Sequence, residues 1–173
     1  MIYIQPLGNI SLSLLGYVSE VVNSIFDKDT KILSSIVVPR SAFIKDRNQY
    51  DIIQLLTDLG SKLGNMDGNV IAITDVDLCV HIFDYVFGGA DDRKEIAVIS
   101  IVRLDNSFYG LRENTDLMLE RIKKEVIHEL GHTYFLGHCD SKLCVMYKSA
   151  CITDTDFKGS DFCKCCYNKI NFE

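Results

Sequence analysis

The chain has 173 residues, with 18 Lys and Arg against 24 Asp and Glu, a formal net charge of -6 and 47% apolar residues. That length and apolar content suit one core burying roughly two thirds of the unfolded chain's surface, and they exclude a disordered or collagen-like chain. An acidic balance without a basic tract argues against a general nucleic-acid or anionic-membrane binder.

In chain order, Ile2 to Ile4 reads as a short strand and Ser11 to Phe26 as a helix, with Leu12, Leu15, Val18 and Val22 at helical spacing. Lys31 to Val38 is β-branched, closes at Pro39, and predicts a second strand. Asn48 to Leu63 predicts a second helix with Ile52, Leu55, Leu56, Leu59 and Leu63 on one side. Asn69 to Thr74 and Ile96 to Val102 are continuous apolar runs of strand length, the pattern of strands buried on both faces. Between them, Phe83 to Gly88 predicts an edge strand that runs into a Gly-Gly-Ala-Asp-Asp turn. A third helix starts at Asn114 or Thr115, either a suitable N-cap, and turns Leu119, Ile122, Val126 and Leu130 toward the core. Strands alternating with helices imply an α/β class with a mixed sheet.

No Lys or Arg precedes Lys28, and the apolar runs around Leu12 to Val22 are broken by Ser, Gly and Glu. Neither a signal peptide nor a membrane span is expected, which points to a cytoplasmic protein, with a monomer as the default. The seven cysteines then read as reduced thiols or metal ligands rather than disulfides. With no repeats and only two prolines, residues 1–173 form one expected domain, divided into 1–138 with the sheet and helices and a cysteine-bearing subregion over 139–173.

The chemistry concentrates where the third helix ends, in His128-Glu129-Leu130-Gly131-His132-Thr133-Tyr134-Phe135-Leu136-Gly137-His138. Two histidines four apart project from one helical face and can share one cation, and His138 completes a three-ligand set with an open fourth position, the mark of a catalytic zinc. Glu129 is angled toward the place of a metal-bound water and is the candidate general base. Met146, eight residues past His138, falls where such a site takes an apolar floor; without the histidines it would read as a core gap-filler.

Cys139 and Cys144, followed by Cys163 and Cys166 in a C-x-x-C pair, form the usual ligand set of a closed tetrahedral zinc site. The second pair alone would also suit a redox dithiol, and Cys165 inside it allows an exchange with Cys163, although C-x-x-C spacing ranks Cys163 with Cys166 first. Cys151 has no assigned role, and Cys79 and His81 lack a patterned partner and read as packed or surface residues.

The whole string from His128 to Cys166 resembles the signature of the archaemetzincins, metzincin-clan zinc peptidases with one catalytic and one structural zinc. The resemblance covers about Val70 to Cys166, with Ile73 to Leu78, Val86 to Gly88, Val98 to Ser100 and Arg103-Leu104 similar upstream. It implies a zincin-like fold, in which a twisted mixed sheet lies above the helix that bears the first two histidines. It further implies His128, His132 and His138 on the catalytic zinc, Glu129 as general base, Met146 in a Met-turn, and Cys139, Cys144, Cys163 and Cys166 on the structural zinc. Two zinc ions per chain and a peptide or protein substrate extended along an edge strand, here Phe83 to Gly88, complete the expectation.

One position departs from the family motif: Phe135 stands where the motif has the glycine that ends the helix in a left-handed turn. A bulky residue there costs about 1–2 kcal/mol. Unless Gly137 absorbs part of the turn, His138 would sit off the metal, and the alternative is a non-catalytic, zinc-stabilised binding protein. A third class, RNA hydrolysis, is raised by bacterial rRNA-processing endonucleases with three histidines at this spacing; those enzymes lack a glutamate at the place of Glu129, and the negative charge here opposes RNA.

Overall fold

A computed structural model of the chain describes residues 1–170, so the last three residues of the expected 139–173 subregion lie outside the described residues. The order of elements is β1 (Ile2–Leu7), α1 (Leu12–Phe26), β2 (Thr30–Ile32), β3 (Phe43–Ile44), β4 (Gln49–Asp51), α2 (Ile52–Leu63), β5 (Asn69–Thr74), β6 (Leu78–Val80), β7 (Phe83–Val86), β8 (Gly88–Asp91), β9 (Ile96–Ser100), α3 (Thr115–Thr133), α4 (Ile152–Phe157) and α5 (Lys164–Tyr167). Five strands form a mixed sheet in the order β2-β1-β5-β9-β8, parallel except for β8. A smaller sheet has the order β3-β4-β6-β7.

Alternation along the central strands places α1 and α3 on one face and α2 on the other. Ile71 and Ile73 of β5, with Ala97 and Ile99 of β9, pack against Leu15, Val18 and Val22 of α1 and Ile122, Val126 and Leu130 of α3. Their neighbours Val70, Ala72, Ile96 and Val98 face Ile52, Leu55 and Leu59 of α2. The continuous apolar runs thus mark strands covered on both faces. Among the described residues, no helix is long and apolar enough to cross a membrane.

Five local expectations are corrected. The strand predicted over Lys31 to Val38 is paired only as β2, with one further bridge between Ile36 and Leu7. The adjoining β1 contains Pro6, which has no N–H to donate; the Gln5 side chain instead bonds the Ser34 carbonyl at 2.9 Å, and Val37 points to solvent. The helix predicted from Asn48 begins at Ile52, because Asp51 caps it by accepting from the N–H groups of Ile53 and Gln54, and residues 49–51 pair as a strand. Leu12, assigned to the buried stripe of α1, is 82% exposed in the first turn, whereas Leu15, Val18 and Val22 are buried.

The fourth correction concerns the cleft. The strand expected over Phe83 to Gly88 is two strands in different sheets, and the glycine-rich stretch read as a turn is β8 itself, paired with β9. Its glycines answer to close approach rather than turning. A Cβ on Gly88 would lie 2.8 Å from Glu129 Cγ and 2.7 Å from the Val98 carbonyl oxygen. The last expected strand also ends earlier, at Ser100, with Val102–Leu104 in a 3₁₀ turn.

Candidate active site and metal centres

Helix α3 is capped by the Asn114 side chain at its start and anchored at its end by Asn69, whose Nδ2 donates to Thr133 Oγ1 at 2.9 Å. Its buried face sets His128 and His132 one turn apart. Past the helix, the Phe135 N–H donates to the His132 carbonyl and the Leu136 N–H to the Gly131 carbonyl, at 2.9 and 3.1 Å. This pair of bonds is a Schellman cap whose left-handed residue is Phe135, with φ at 61°. The phenylalanine therefore adopts the conformation that the turn demands, and Gly137 is not needed for it.

The turn brings His138 back to the helix. One ring nitrogen from each of His128, His132 and His138 falls within 4.8 Å of the others, so the displacement of His138 expected from a bulky residue at 135 does not occur. His128 Nδ1 donates to the Val145 carbonyl at 2.8 Å and His132 Nδ1 to the Leu136 carbonyl at 2.7 Å. Because a carbonyl can only accept, both Nδ1 atoms carry the proton in the neutral rings, and both Nε2 atoms present lone pairs. Those two Nε2 atoms stand 3.1 Å apart. Facing lone pairs repel unless a cation lies between them, so the donor set fits a metal ion. Burial lowers the pKa of all three imidazoles, most for His128, where the charge of Lys158 adds to the effect, and so favours the ligating neutral form.

Glu129 is buried and its Oε2 has no hydrogen-bond partner among the described residues. Burial first, and the neighbouring Glu125 second, push its pKa well above the usual carboxylate range, while Lys158 opposes the shift. Met146 is fully buried beneath the helix, where a Cβ on Gly131 would come within 2.5 Å of its sulfur. The Cys139 N–H donates to the Met146 carbonyl at 2.9 Å, which ties the third histidine to the methionine segment.

Cys139, Cys144, Cys163 and Cys166 form a second cluster, with one sulfur from each within 4.8 Å of the others. Cys165 is exposed and outside it. The Cys163 N–H points at Cys144 Sγ at 3.3 Å, as backbone amides do around bound thiolates. The Cys166 backbone N–H lowers the Cys163 thiol to about 7, whereas burial raises Cys144 and Cys166. Four thiols gathered in one place cannot all ionise without a cation to offset their charge. Cys151 and Asp154 close the first turn of α4, and Cys79 is packed in β6.

Sequence reasoning missed the pair Glu125 and Lys158. Glu125 lies one turn before Glu129 on α3, and Lys158 Nζ approaches its Oε1 to 2.9 Å with both side chains buried. Helical spacing from Glu129 would have found the carboxylate, but no pattern marks the lysine. The histidines and Glu129 open into a cavity of about 630 Å³ that β7 and β8 border on one side, and Glu125 also lines it.

The family model of peptidase family M54 matches residues 11–172. The archaemetzincin of Methanocaldococcus jannaschii is 35% identical over 169 residues, covering 98% of this chain and 92% of its own. That of Natronomonas pharaonis is 36% identical over 170 residues, covering 96% of this chain and 97% of its own. The crystal structure of a zinc-dependent peptidase from Methanocorpusculum labreanum superposes with a TM-score of 0.91 at 28% identity, over 99% of this chain and 100% of that one. The archaemetzincin of Archaeoglobus fulgidus gives a TM-score of 0.84 at 29% identity, over 98% of this chain and 99% of that one. With a family model spanning nearly the whole chain and relatives above one third identity, the chain belongs to peptidase family M54, the archaemetzincins.

Proposed function

We propose that the zinc metallopeptidase chemistry of this family runs here through His128, His132 and His138 as zinc ligands and Glu129 as general base. The observation that carries this reading is the meeting of unprotonated ring nitrogens beside a buried, unpartnered carboxylate at the floor of an open cavity. A zinc ion held by the three rings supplies Lewis acidity to the scissile carbonyl and acidifies water. Glu129 takes the proton of the attacking water and hands it to the leaving amine nitrogen, for which a carboxylate with raised proton affinity suits. The unpaired edge of β8 offers main-chain donors and acceptors to an extended peptide, with Gly88 lying directly over Glu129.

Met146 serves as the floor of a Met-turn under the imidazoles. A second zinc on Cys139, Cys144, Cys163 and Cys166 staples that segment to the C-terminal part, since the energy of binding a structural zinc is folding energy. The substrate is a peptide or protein, and the working unit is a cytoplasmic monomer.

The test is Glu129→Gln, which keeps shape while removing the base. Peptide hydrolysis should fall at least a hundred-fold, on the scale of general-base loss, with the zinc content unchanged by elemental analysis. Equal turnover by the variant would sink the assignment.

A further inference from the structure

We propose that Phe135 is a specificity-determining residue of the cleft, its ring receiving a bulky apolar side chain of the substrate peptide. The proposal rests on the peptidase reading and deepens it. The turn at 135 is made wholly by the backbone, through the bonds of Phe135 and Leu136 to His132 and Gly131, and glycine or asparagine would make the same bonds with less strain. The phenyl ring does not compensate by packing: it is 72% exposed, and no ring or cation contact joins it among the described residues. It does line the cavity into which Glu129, His132 and His138 open. A residue that strains the backbone and gains little from burial, yet borders the reacting groups, has its use in what enters the cleft.

The chemistry of that occupant follows from the surroundings. Leu136, next to Phe135 in the lining, is buried in the core, so the exposed apolar surface at this end of the cavity is the phenyl ring itself. The other strongly exposed aromatic of the lining, Phe83 on β7, has the Lys148 ammonium 5.5 Å from its ring centroid, so it already has a cationic neighbour. Phe135 has none, and its ring is covered best by an aliphatic or aromatic side chain, which removes apolar area from water on both partners at little cost in rotamer freedom.

The measurement compares zinc-loaded wild type with Phe135→Gly and Phe135→Asn, both compatible with a left-handed backbone, on peptides varied one position at a time through Gly, Ser, Lys, Leu and Phe. At one position the ratio of kcat/KM for Leu or Phe over Gly should fall about ten-fold in both variants, mainly through KM, the size expected for losing one apolar wall. The same ratio is then read as binding, by fluorescence anisotropy, on Glu129→Gln with and without Phe135→Gly. An unchanged ratio, an equal loss for every peptide, or a loss confined to Lys peptides would overturn the proposal. Failure of the wild type to hydrolyse any peptide would count against the peptidase reading, while binding that still depends on Phe135 would sustain this inference.

Discussion

Gly131 lies on Met146 so closely that a Cβ at position 131 would stand 2.5 Å from the methionine sulfur and 3.2 Å from the Phe162 ring. The glycine sits between His128 and His132 in α3, so a missing side chain sets how closely this turn of the helix approaches Met146. Gly131→Ala should destabilise the protein by about 1–3 kcal/mol through overpacking and weaken metal binding at the histidines. Thermal unfolding together with a zinc titration checks both effects. A companion Met146→Ala change should restore part of the loss, since it vacates the space that the new methyl needs; a wild-type melting temperature for Gly131→Ala alone would mean the contact is looser than described.

The pair of Lys158 and Glu125 is the most completely buried ion pair among the described residues, with side chains 0% and 4% exposed. At 2.9 Å the contact is charge on charge rather than a well-aimed hydrogen bond. Lys158→Met should cost about 3–5 kcal/mol, because the Glu125 carboxylate is left buried and uncompensated. Lys158→Met with Glu125→Leu should recover most of that stability, as apolar replacements of buried pairs commonly do. Urea midpoints of the two variants decide the matter: similar losses in both would show that packing, not charge, is what Lys158 supplies.

Much of this architecture was legible in the sequence for identifiable reasons. Val70 to Ile73 and Ile96 to Ile99 read correctly because strands covered on both faces leave no polar residue in the run. The three histidines, and each of the two cysteine pairs, meet in space as their short spacings suggest, because a helix or a tight turn converts short spacing into proximity with little freedom. What failed depended on distant partners. Gly88 and Gly89 looked like turn residues, but they are glycine because Glu129 and Ile52 crowd them from other elements. Lys158 carries no local pattern at all, since its partner Glu125 is 33 positions earlier in the numbering. The strain attributed to Phe135 was real in its backbone angle, yet the histidine triad closed because a Schellman cap tolerates the residue once its side chain has open space.

The cysteine cluster should behave as part of the fold. Cys166 is buried, 28 positions past His138, and between them the Val145 N–H donates to the Asp161 carbonyl at 2.9 Å. Cys166→Ser should remove one metal equivalent, lower the melting temperature and open the stretch around residues 139–144 and 163–166 to limited proteolysis, because the four cysteines join these two stretches of turn and short helix. Cys165→Ser, changing an exposed thiol outside the cluster, should leave metal content and melting temperature at wild-type values. Elemental analysis and a time course of mild proteolysis read the two variants side by side. Loss of metal from the Cys165 variant instead would transfer the fourth ligand to that residue.

Acid should destabilise the metal-free histidine site in a defined window. Burial lowers the pKa of His128, His132 and His138 in the folded chain, so unfolded histidines take up protons first as the pH falls below about 6.5. The unfolded state then binds more protons than the folded one, and folding stability declines with falling pH until the folded rings protonate in turn; above that window these groups contribute no pH dependence. Every pKa unit by which His128 lies below its unfolded value is worth about 1.4 kcal/mol at the acid end. Protein with the histidine site emptied by a mild chelator should therefore lose melting temperature between pH 6.5 and 5, and His128→Gln should flatten that slope. Zinc-loaded protein should show a steeper decline over the same range, because protons also compete with the metal for Nε2. Glu129, whose pKa burial raises, takes up its proton in the folded state first and opposes this slope, so the comparison is made in the Glu129→Gln background. A melting temperature that stays level there from pH 6.5 to 5 in the metal-free protein would mean that the three rings protonate as freely as in the unfolded chain, and that water reaches them.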